Sequence, residues 1–127
     1  MTRHSVVLTT VGSEEEASKL AKSLVDCHLA ACVSIISNVR SVYNWKDKTH
    51  EDKECMLVIK TASALTDKLQ AHFAAHHPYE VPEFVVLKID EESSAYLKWM
   101  EGWLDSRKSH KSQDGRKSKV EGRRSRR

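Results

Sequence analysis

The sequence is poor in the residues that build loops around ligands. It has only four glycines, none of them clustered, and only two prolines among 127 residues. A phosphate-binding loop needs closely spaced glycines and a nucleophile elbow needs a Gly-x-Ser-x-Gly turn, and neither pattern occurs. No paired acidic motif of a recognised spacing is present either. These absences argue against an enzyme, and we expect a protein without catalytic activity or an organic cofactor.

Long apolar runs are absent as well. No stretch approaches the roughly 18 apolar residues of a membrane-spanning helix, and no signal-peptide pattern opens the chain. The three cysteines, Cys27, Cys32 and Cys55, form no Cys-x-x-Cys pair, and each lies in an otherwise apolar segment. We therefore expect a soluble, cytoplasmic protein without membrane contact, whose cysteines are buried, reduced thiols.

Charge is divided unevenly along the chain. Residues 1–105 carry 11 Lys and Arg against 16 Asp and Glu, whereas residues 106–127 carry 10 against 2. The second segment holds a single apolar side chain, Val120, so burial cannot offset the entropy lost on ordering it. We predict one domain over 1–105 and a disordered basic tail over 106–127. With a net charge of +8, this tail is expected to bind polyanions weakly and without specificity.

Hydrophobic periodicity predicts four strands and three helices. The predicted strands are Val6–Leu8, Cys32–Tyr43, Cys55–Lys60 and Phe84–Ile89. The first predicted helix begins at a capping box formed by Ser13 and Glu16. The second contains Leu65, Leu69 and Phe73 and ends at Pro78, and the third begins at Ser93 or Ser94. The order β-α-β-β-α-β plus a helix indicates an α+β ferredoxin-like sandwich, with helices on one face of a four-stranded antiparallel sheet.

The other face of this sheet lacks a cover. The third strand is apolar on both of its faces between Cys55 and Ile59, yet the predicted helices occupy one face only. Trp45 lies in the turn of the predicted hairpin, where a large aromatic ring is costly unless a neighbour buries it. We therefore predict self-association, with Trp45 as an interface anchor.

The segment His76–Glu83 is the most informative part of the chain. It reads His-His-Pro-Tyr-Glu-Val-Pro-Glu, and Pro78 forces the preceding helix to stop beside two imidazoles. Histidine is a common metal ligand, so His77 and His76 are predicted metal ligands, with His76 also spaced to chelate together with His72 one helical turn earlier. The alternative is that these histidines are structural, capping carbonyls at a helix end or lying solvated on its surface.

This segment, together with three others, resembles the CutA family of divalent-cation tolerance proteins. The other matching segments are Leu29–Val33, Ser41–Trp45 and Ile59–Thr61, and the resemblance extends from about Ser5 to Leu104. The resemblance implies a compact homotrimer in which the long hairpin reaches a neighbour's sheet. It also implies that His77 faces a cleft between subunits and binds Cu²⁺ or another divalent cation. Several bacterial members carry a cysteine where this chain has Thr9, and a hydroxyl does not replace a soft thiolate ligand.

The family pattern also includes Glu54, Lys60, Tyr79 and Glu83. These residues could line a cleft for a small polar ligand, or they could form a network of hydrogen bonds and ion pairs between subunits. Two functions remain open at this point. The first is metal-ion tolerance by a non-catalytic trimer that buffers or senses the ion. The alternative is a trimeric signalling module similar to the PII proteins, which bind small effectors at intersubunit clefts.

Overall fold

The computed structural model describes residues 3–106. Four strands and three α-helices follow one another along the chain, with a short 3-10 turn at Ser63–Leu65. The elements are β1 (His4–Val11), α1 (Glu14–Asp26), β2 (Cys32–Trp45), β3 (Lys48–Ala62), α2 (Thr66–His76), β4 (Val85–Lys88) and α3 (Ser94–Asp105). The basic tail lies almost wholly outside the described residues.

The strands form one antiparallel sheet in the order β2-β3-β1-β4. This is the strand order that two right-handed crossovers around a central hairpin produce, so the predicted ferredoxin-like sandwich is confirmed. The apolar residues of α1 and α2 pack on the sheet face formed by alternate residues of β1 and β3. The core cluster includes Val7, Val11, Ala17, Leu20, Leu24, Leu57, Ile59, Leu69 and Phe73.

The β2–β3 hairpin is longer than the sequence indicated. β3 begins at Lys48, and the turn consists of Lys46 and Asp47, both with positive φ as a type I′ hairpin turn requires. Residues 48–54 were not predicted as a strand because they are largely polar. They pair with β2 beyond the end of β1, where the ribbon contacts water and needs no alternating apolar pattern.

The face of the sheet opposite the helices carries an apolar surface. Leu8 pairs with Val58 on one side and with Val85 on the other, and their side chains share this face. Strand register adds further apolar neighbours, all of them partly or largely exposed. The surface, called the open face below, comprises Val6, Leu8, Ile36, Met56, Val58, Val85 and Leu87.

The cysteines are less buried than predicted. Cys55 is buried, but Cys32 is half-buried and Cys27 is exposed. Cys27 caps the C-terminus of α1, and its backbone N–H donates to the carbonyl of Ser23. The prediction of three buried thiols is therefore wrong for Cys27 and overstated for Cys32, which lies near the end of the open face beside Lys60.

The third helix places only part of its predicted apolar face in the core. Met100 and Leu104 are buried against Ala31 and Leu65. Tyr96 and Trp103 retain more than a third of their surface in solvent, at 37% and 36%. No helix within residues 3–106 is long and apolar enough to cross a membrane.

Candidate functional site

His77 lies at the C-terminal cap of α2 and turns into the protein. Its backbone is extended (φ −76°, ψ 136°), as expected for a residue that precedes proline. The backbone N–H of His77 still donates to the carbonyl of Phe73 at 2.9 Å, so the last turn of the helix closes normally. The imidazole is fully buried between α2 and β1, and it also contacts the rings of Phe73 and Tyr79.

Both ring nitrogens of His77 are engaged by protein groups. The backbone N–H of Tyr79 donates to Nδ1 at 3.1 Å, which identifies Nδ1 as the nitrogen with the lone pair. Nε2 therefore carries the hydrogen in the neutral ring, and it donates to the carbonyl of Thr10 at 3.1 Å. The hydroxyl of Thr9 lies at 3.1 Å from the same nitrogen. A metal ion at His77 would have to displace one of these hydrogen bonds.

The network continues from His77 through Tyr79 to Glu54. The Tyr79 hydroxyl donates to Oε2 of Glu54 at 2.5 Å, and both residues are buried. Glu54 lies on β3 just beyond the residue that pairs with the end of β1. Hydrogen bonds thus connect β1, the end of α2 and β3, and they fix the segment that leads from α2 towards β4.

Lys60 is not part of this network. It lies six residues from Glu54 along β3, which corresponds to about 20 Å of strand. Its ammonium is 3.2 Å from the Ser34 hydroxyl and 3.9 Å from the Cys32 thiol. Glu83 is half-buried in the segment before β4. Within the single chain, then, the predicted cleft set is divided, since Glu54 and Tyr79 meet whereas Lys60 lies far from both.

Trp45 is the last residue of β2 and lies at the outer end of the hairpin. It is half-buried in the single chain, and the ammonium of Lys46 lies 5.8 Å from the centre of its ring. No core residue surrounds it, because the ribbon extends past the ends of the other strands. This position suits contact with a second molecule, and the role of Trp45 as an interface anchor stays a prediction.

His76 lies beside His72, which is one turn earlier on α2, on the side of the helix that faces α1. The two rings stack with their centres 4.1 Å apart, and both are half-buried. Nδ1 of His76 is 3.1 Å from the carbonyl of His72, and Nε2 of His72 is 2.9 Å from the hydroxyl of Ser23 on α1. The contact with Ser23 joins residues 49 positions apart, and no local pattern in the sequence indicated it.

The surroundings of His72 favour its neutral form. Burial first, and the neighbouring His76 second, lower the pKa of His72 from 6.5 to about 4. As pH falls below 6.5, the unfolded chain takes up a proton at His72 while the folded chain does not, so stability is lost down to pH 4. We expect a loss of about 1–2 kcal/mol, reduced by solvent screening at this half-buried ring.

The variant His72→Gln tests this pH dependence. Urea unfolding gives the free energy of unfolding of both proteins at pH 7, 5.5 and about 4. Subtracting the value of the variant from that of the native protein at each pH cancels the contribution of all other titrating groups. The native protein is expected to lose more stability than the variant over this interval. Equal losses in the two proteins would show that His72 titrates normally.

Two further histidines have partners that the sequence did not reveal. His28 stacks on Trp103 with ring centres 3.8 Å apart, and its Nδ1 donates to the Trp103 carbonyl at 3.0 Å. His4 is buried on β1, and its two nitrogens lie 3.7 Å from Glu92 and 3.6 Å from Glu101. Both contacts fasten α3 and the segment before it to the rest of the domain. Within residues 3–106, no group of three or more His, Cys, Asp or Glu side chains lies close enough to hold a metal ion.

The sequence and the fold are similar to those of proteins named for cation tolerance. The chain is 46% identical over 95 residues to the divalent-cation tolerance protein CutA of Thermus thermophilus, covering 75% of this chain and 92% of that protein. It is 44% identical over 95 residues to the chloroplastic protein CutA of Arabidopsis thaliana, covering 75% of this chain but only 52% of that relative. The chain thus spans about half the length of that plant relative.

Solved structures agree with these sequence matches. The crystal structure of CutA1 from Oryza sativa superposes with a TM-score of 0.78 at 39% identity, covering 80% of this chain and 94% of that one. The family model described as CutA1 divalent ion tolerance protein matches residues 5–102. This range contains the sheet apart from His4, the first residue of β1, and it contains the His77 network and the His72–His76 pair. The chain therefore belongs to the CutA1 divalent ion tolerance protein family.

Proposed function

We propose that the chain is a non-catalytic homotrimer that contributes to divalent-metal tolerance by binding Cu²⁺ or another divalent cation reversibly. The observation that carries this proposal is the pair of adjacent histidines at the end of α2, in a chain of the divalent ion tolerance family. His76 is the member of the pair that solvent reaches, since its ring is half-exposed whereas that of His77 is buried. Imidazole nitrogen is a suitable ligand for Cu²⁺ and Zn²⁺. The proposed mode of action is buffering or sensing of the ion.

The open face supports the trimeric part of the proposal. Its apolar side chains form a continuous surface across all four strands, and the short β4 leaves an unpaired edge beside it. An exposed apolar surface of this kind, next to an unpaired strand edge, invites association with another chain. The helices already cover the other face of the sheet. Two further copies of this chain can cover the open face without any other protein.

Sedimentation at micromolar concentration tests this assembly. The native protein is expected to have the mass of three chains. Val58→Glu places a charge at the centre of the open face and is expected to shift the mass towards that of one chain, since an unpaired buried charge is strongly unfavourable. Lys22→Glu, on the exposed side of α1, serves as the matched control and is expected to stay trimeric. A native monomer would rule out the assembly, and a trimeric Val58→Glu would place the interface elsewhere.

A PII-like effector role is the alternative, and a single subunit holds only part of the site that this role would need. Glu54 and Tyr79 bond to each other in the interior, and Lys60 lies far from both. An effector site built from these residues would have to be completed by a neighbouring subunit. A small-molecule ligand remains the alternative if the trimer forms but takes up no metal.

The proposed compartment is the cytoplasm, where cysteines that form no disulfide, such as Cys27, Cys32 and Cys55, stay reduced. Relatives are named for other compartments, including a chloroplastic CutA in plants and a periplasmic CutA from Archaeoglobus fulgidus. Weak polyanion binding by the basic tail is a further part of the proposal, and it rests on the charge of residues 106–127 alone.

A further inference from the structure

One side of α3 carries three large aromatic side chains that the domain leaves partly uncovered. Tyr96, Trp99 and Trp103 follow the i, i+3, i+7 spacing that places residues on one side of a helix. They retain 37%, 52% and 36% of their surface in solvent. The rings of Tyr96 and Trp99 lie with their centres 5.5 Å apart. These three side chains are called the aromatic row below.

Negative charge lies at both ends of the aromatic row. Asp26 is exposed and directly follows the residue whose carbonyl accepts a hydrogen bond from the indole N–H of Trp103 at 3.0 Å. At the other end, burial and, after it, negative neighbours that include Glu92 raise the pKa of the Tyr96 hydroxyl. Residues 23–26, the last turn of α1, include no Lys or Arg that would offset the negative end of this helix beside Trp103. The surroundings of the row therefore favour a cationic occupant.

Aromatic rings beside carboxylates suit arginine and lysine in particular. Both cations are attracted to the face of an indole ring, and the planar guanidinium of Arg also stacks on it. Within residues 3–106, no Lys or Arg lies over the ring of Trp99 or Tyr96, although Lys46 lies over that of Trp45. Lys98, the basic residue of α3, projects from the helix about 100° or more away from the row. The aromatic row is thus open to cations from outside the described part of the chain.

The chain itself supplies such cations directly after α3. The helix ends at Asp105, and residues 107–127 contain ten Lys and Arg, six of them Arg, against two acidic residues. Trp99 lies seven residues before Ser106, which corresponds to about 10 Å along the helix axis. About three or four residues of extended chain span this distance. The basic segment is therefore long enough to turn back and reach every ring of the row.

We infer that residues 107–127 dock on the aromatic row of their own chain. Their Arg and Lys side chains lie over the exposed rings and near the carboxylates at both ends of the row. The same cations cannot pair with these groups and with phosphate or sulfate at once, so the row competes with polyanions for the basic segment. The row thereby weakens polyanion binding by the intact protein. This role goes beyond metal tolerance and does not depend on metal binding.

Zero-length crosslinking of the full-length protein at low salt tests the contact. A carbodiimide joins a lysine amine only to a carboxylate that it touches, and mass spectrometry of the digest identifies the pair. We expect crosslinks from the lysines of the basic segment to Asp26 and to Glu91, the exposed neighbour of Glu92. Glu14 and Glu15 are the control, because they are exposed at the other end of α1, about 18 Å from Asp26, and report attraction by charge alone. Equal yields at Glu15 and Asp26 would overturn the inference.

A variant that combines Tyr96→Gln with Trp99→Gln tests the part played by the rings. Gln is a good helix former, and Trp103 is kept because its N–H bond and its stack on His28 hold α3 to α1. We expect the crosslinks at Asp26 to fall to the level of the control carboxylates. Heparin affinity is expected to rise about threefold, the factor for a segment docked two-thirds of the time in the native protein. Val81→Gln, which replaces another apolar side chain that is about half exposed, is the matched control and is expected to change neither result.

The outcomes separate the basic segment from other occupants of the row. Unchanged crosslinks and unchanged heparin affinity in the double variant would overturn the inference. A lower mass of this variant in sedimentation would assign the row to a second copy of the chain, and would overturn it too. So would native protein that binds vesicles of anionic lipid through Trp99 and shows no crosslinks. Native protein that does not bind heparin would refute polyanion binding alone, since the crosslinks report docking without it. Thermal unfolding verifies the fold of each variant.

Discussion

Substitution of His77 by Ala is expected to lower the free energy of unfolding by about 3–5 kcal/mol, the range of large-to-Ala changes in a core. The side chain is fully buried, so its removal leaves a cavity against Phe73 and Tyr79. The change also leaves the N–H of Tyr79 without its acceptor, and the carbonyl of Thr10 without a donor in this network. A buried group that loses its partner costs about 1–3 kcal/mol, so we expect the total loss to fall at the upper end of the range of about 3–5 kcal/mol.

Urea unfolding at a fixed protein concentration measures this loss, since the stability of the proposed trimer would depend on concentration. Two comparisons show its origin. Tyr79→Phe removes only the hydroxyl that bonds Glu54 and is expected to cost about 1–3 kcal/mol. His50→Ala, at a half-exposed position in the hairpin, is expected to cost less than about 1 kcal/mol. If His77→Ala were as mild as His50→Ala, the buried network would not be what secures the end of α2.

Thr9→Cys is expected to raise the affinity for Cu(I) by about tenfold to a hundredfold, because Cu(I) prefers a soft thiolate to a hydroxyl. The Thr9 hydroxyl lies 3.1 Å from Nε2 of His77, so a thiolate there would lie beside an imidazole. The hydrogen on Nε2 of His77 limits this gain in Cu(I) affinity. To bind through Nε2, His77 must move its hydrogen to Nδ1, where it would oppose the N–H of Tyr79.

Competition against a Cu(I) chelator measures this gain, with the exposed Cys27 contributing the same background in every protein. Combining Thr9→Cys with His77→Gln is expected to remove most of the gain. Thr10→Cys is the matched control, because neighbouring residues of a strand point to opposite faces and its thiol would point away from His77. Equal affinity for Cu(I) in Thr9→Cys with and without His77 would mean that the two positions do not share a site.

The fold could be predicted from local patterns because each element is specified by nearby residues. Ser13 caps α1 as expected, accepting from the N–H of Glu16 at 3.1 Å. The Glu16 side chain folds back over the same end of the helix, where it accepts from the N–H of Gly12 at 3.2 Å. Pro78 ends α2 in the predicted place. The length of the β2–β3 hairpin was underestimated because a ribbon exposed on both faces shows no alternation of apolar and polar residues.

The candidate site could be predicted only in part. The adjacent histidines were visible in the sequence, but their opposite environments were not. His77 is buried through contacts with β1, 67 and 68 positions away, and no periodicity reports such a contact. The role of Ser23 beside His72 was hidden for the same reason. The cleft set was divided because Lys60 and Glu54 lie six residues apart along β3, about 20 Å of strand.

Native mass spectrometry of the purified protein, with and without Cu²⁺, tests the metal-binding trimer most directly, since it reports subunit number and bound ions together. We expect the mass of three chains, increased on addition of Cu²⁺ by about one ion per chain, and we expect a smaller increase in the variant His76→Gln. A single chain that gains no copper would refute the proposed function.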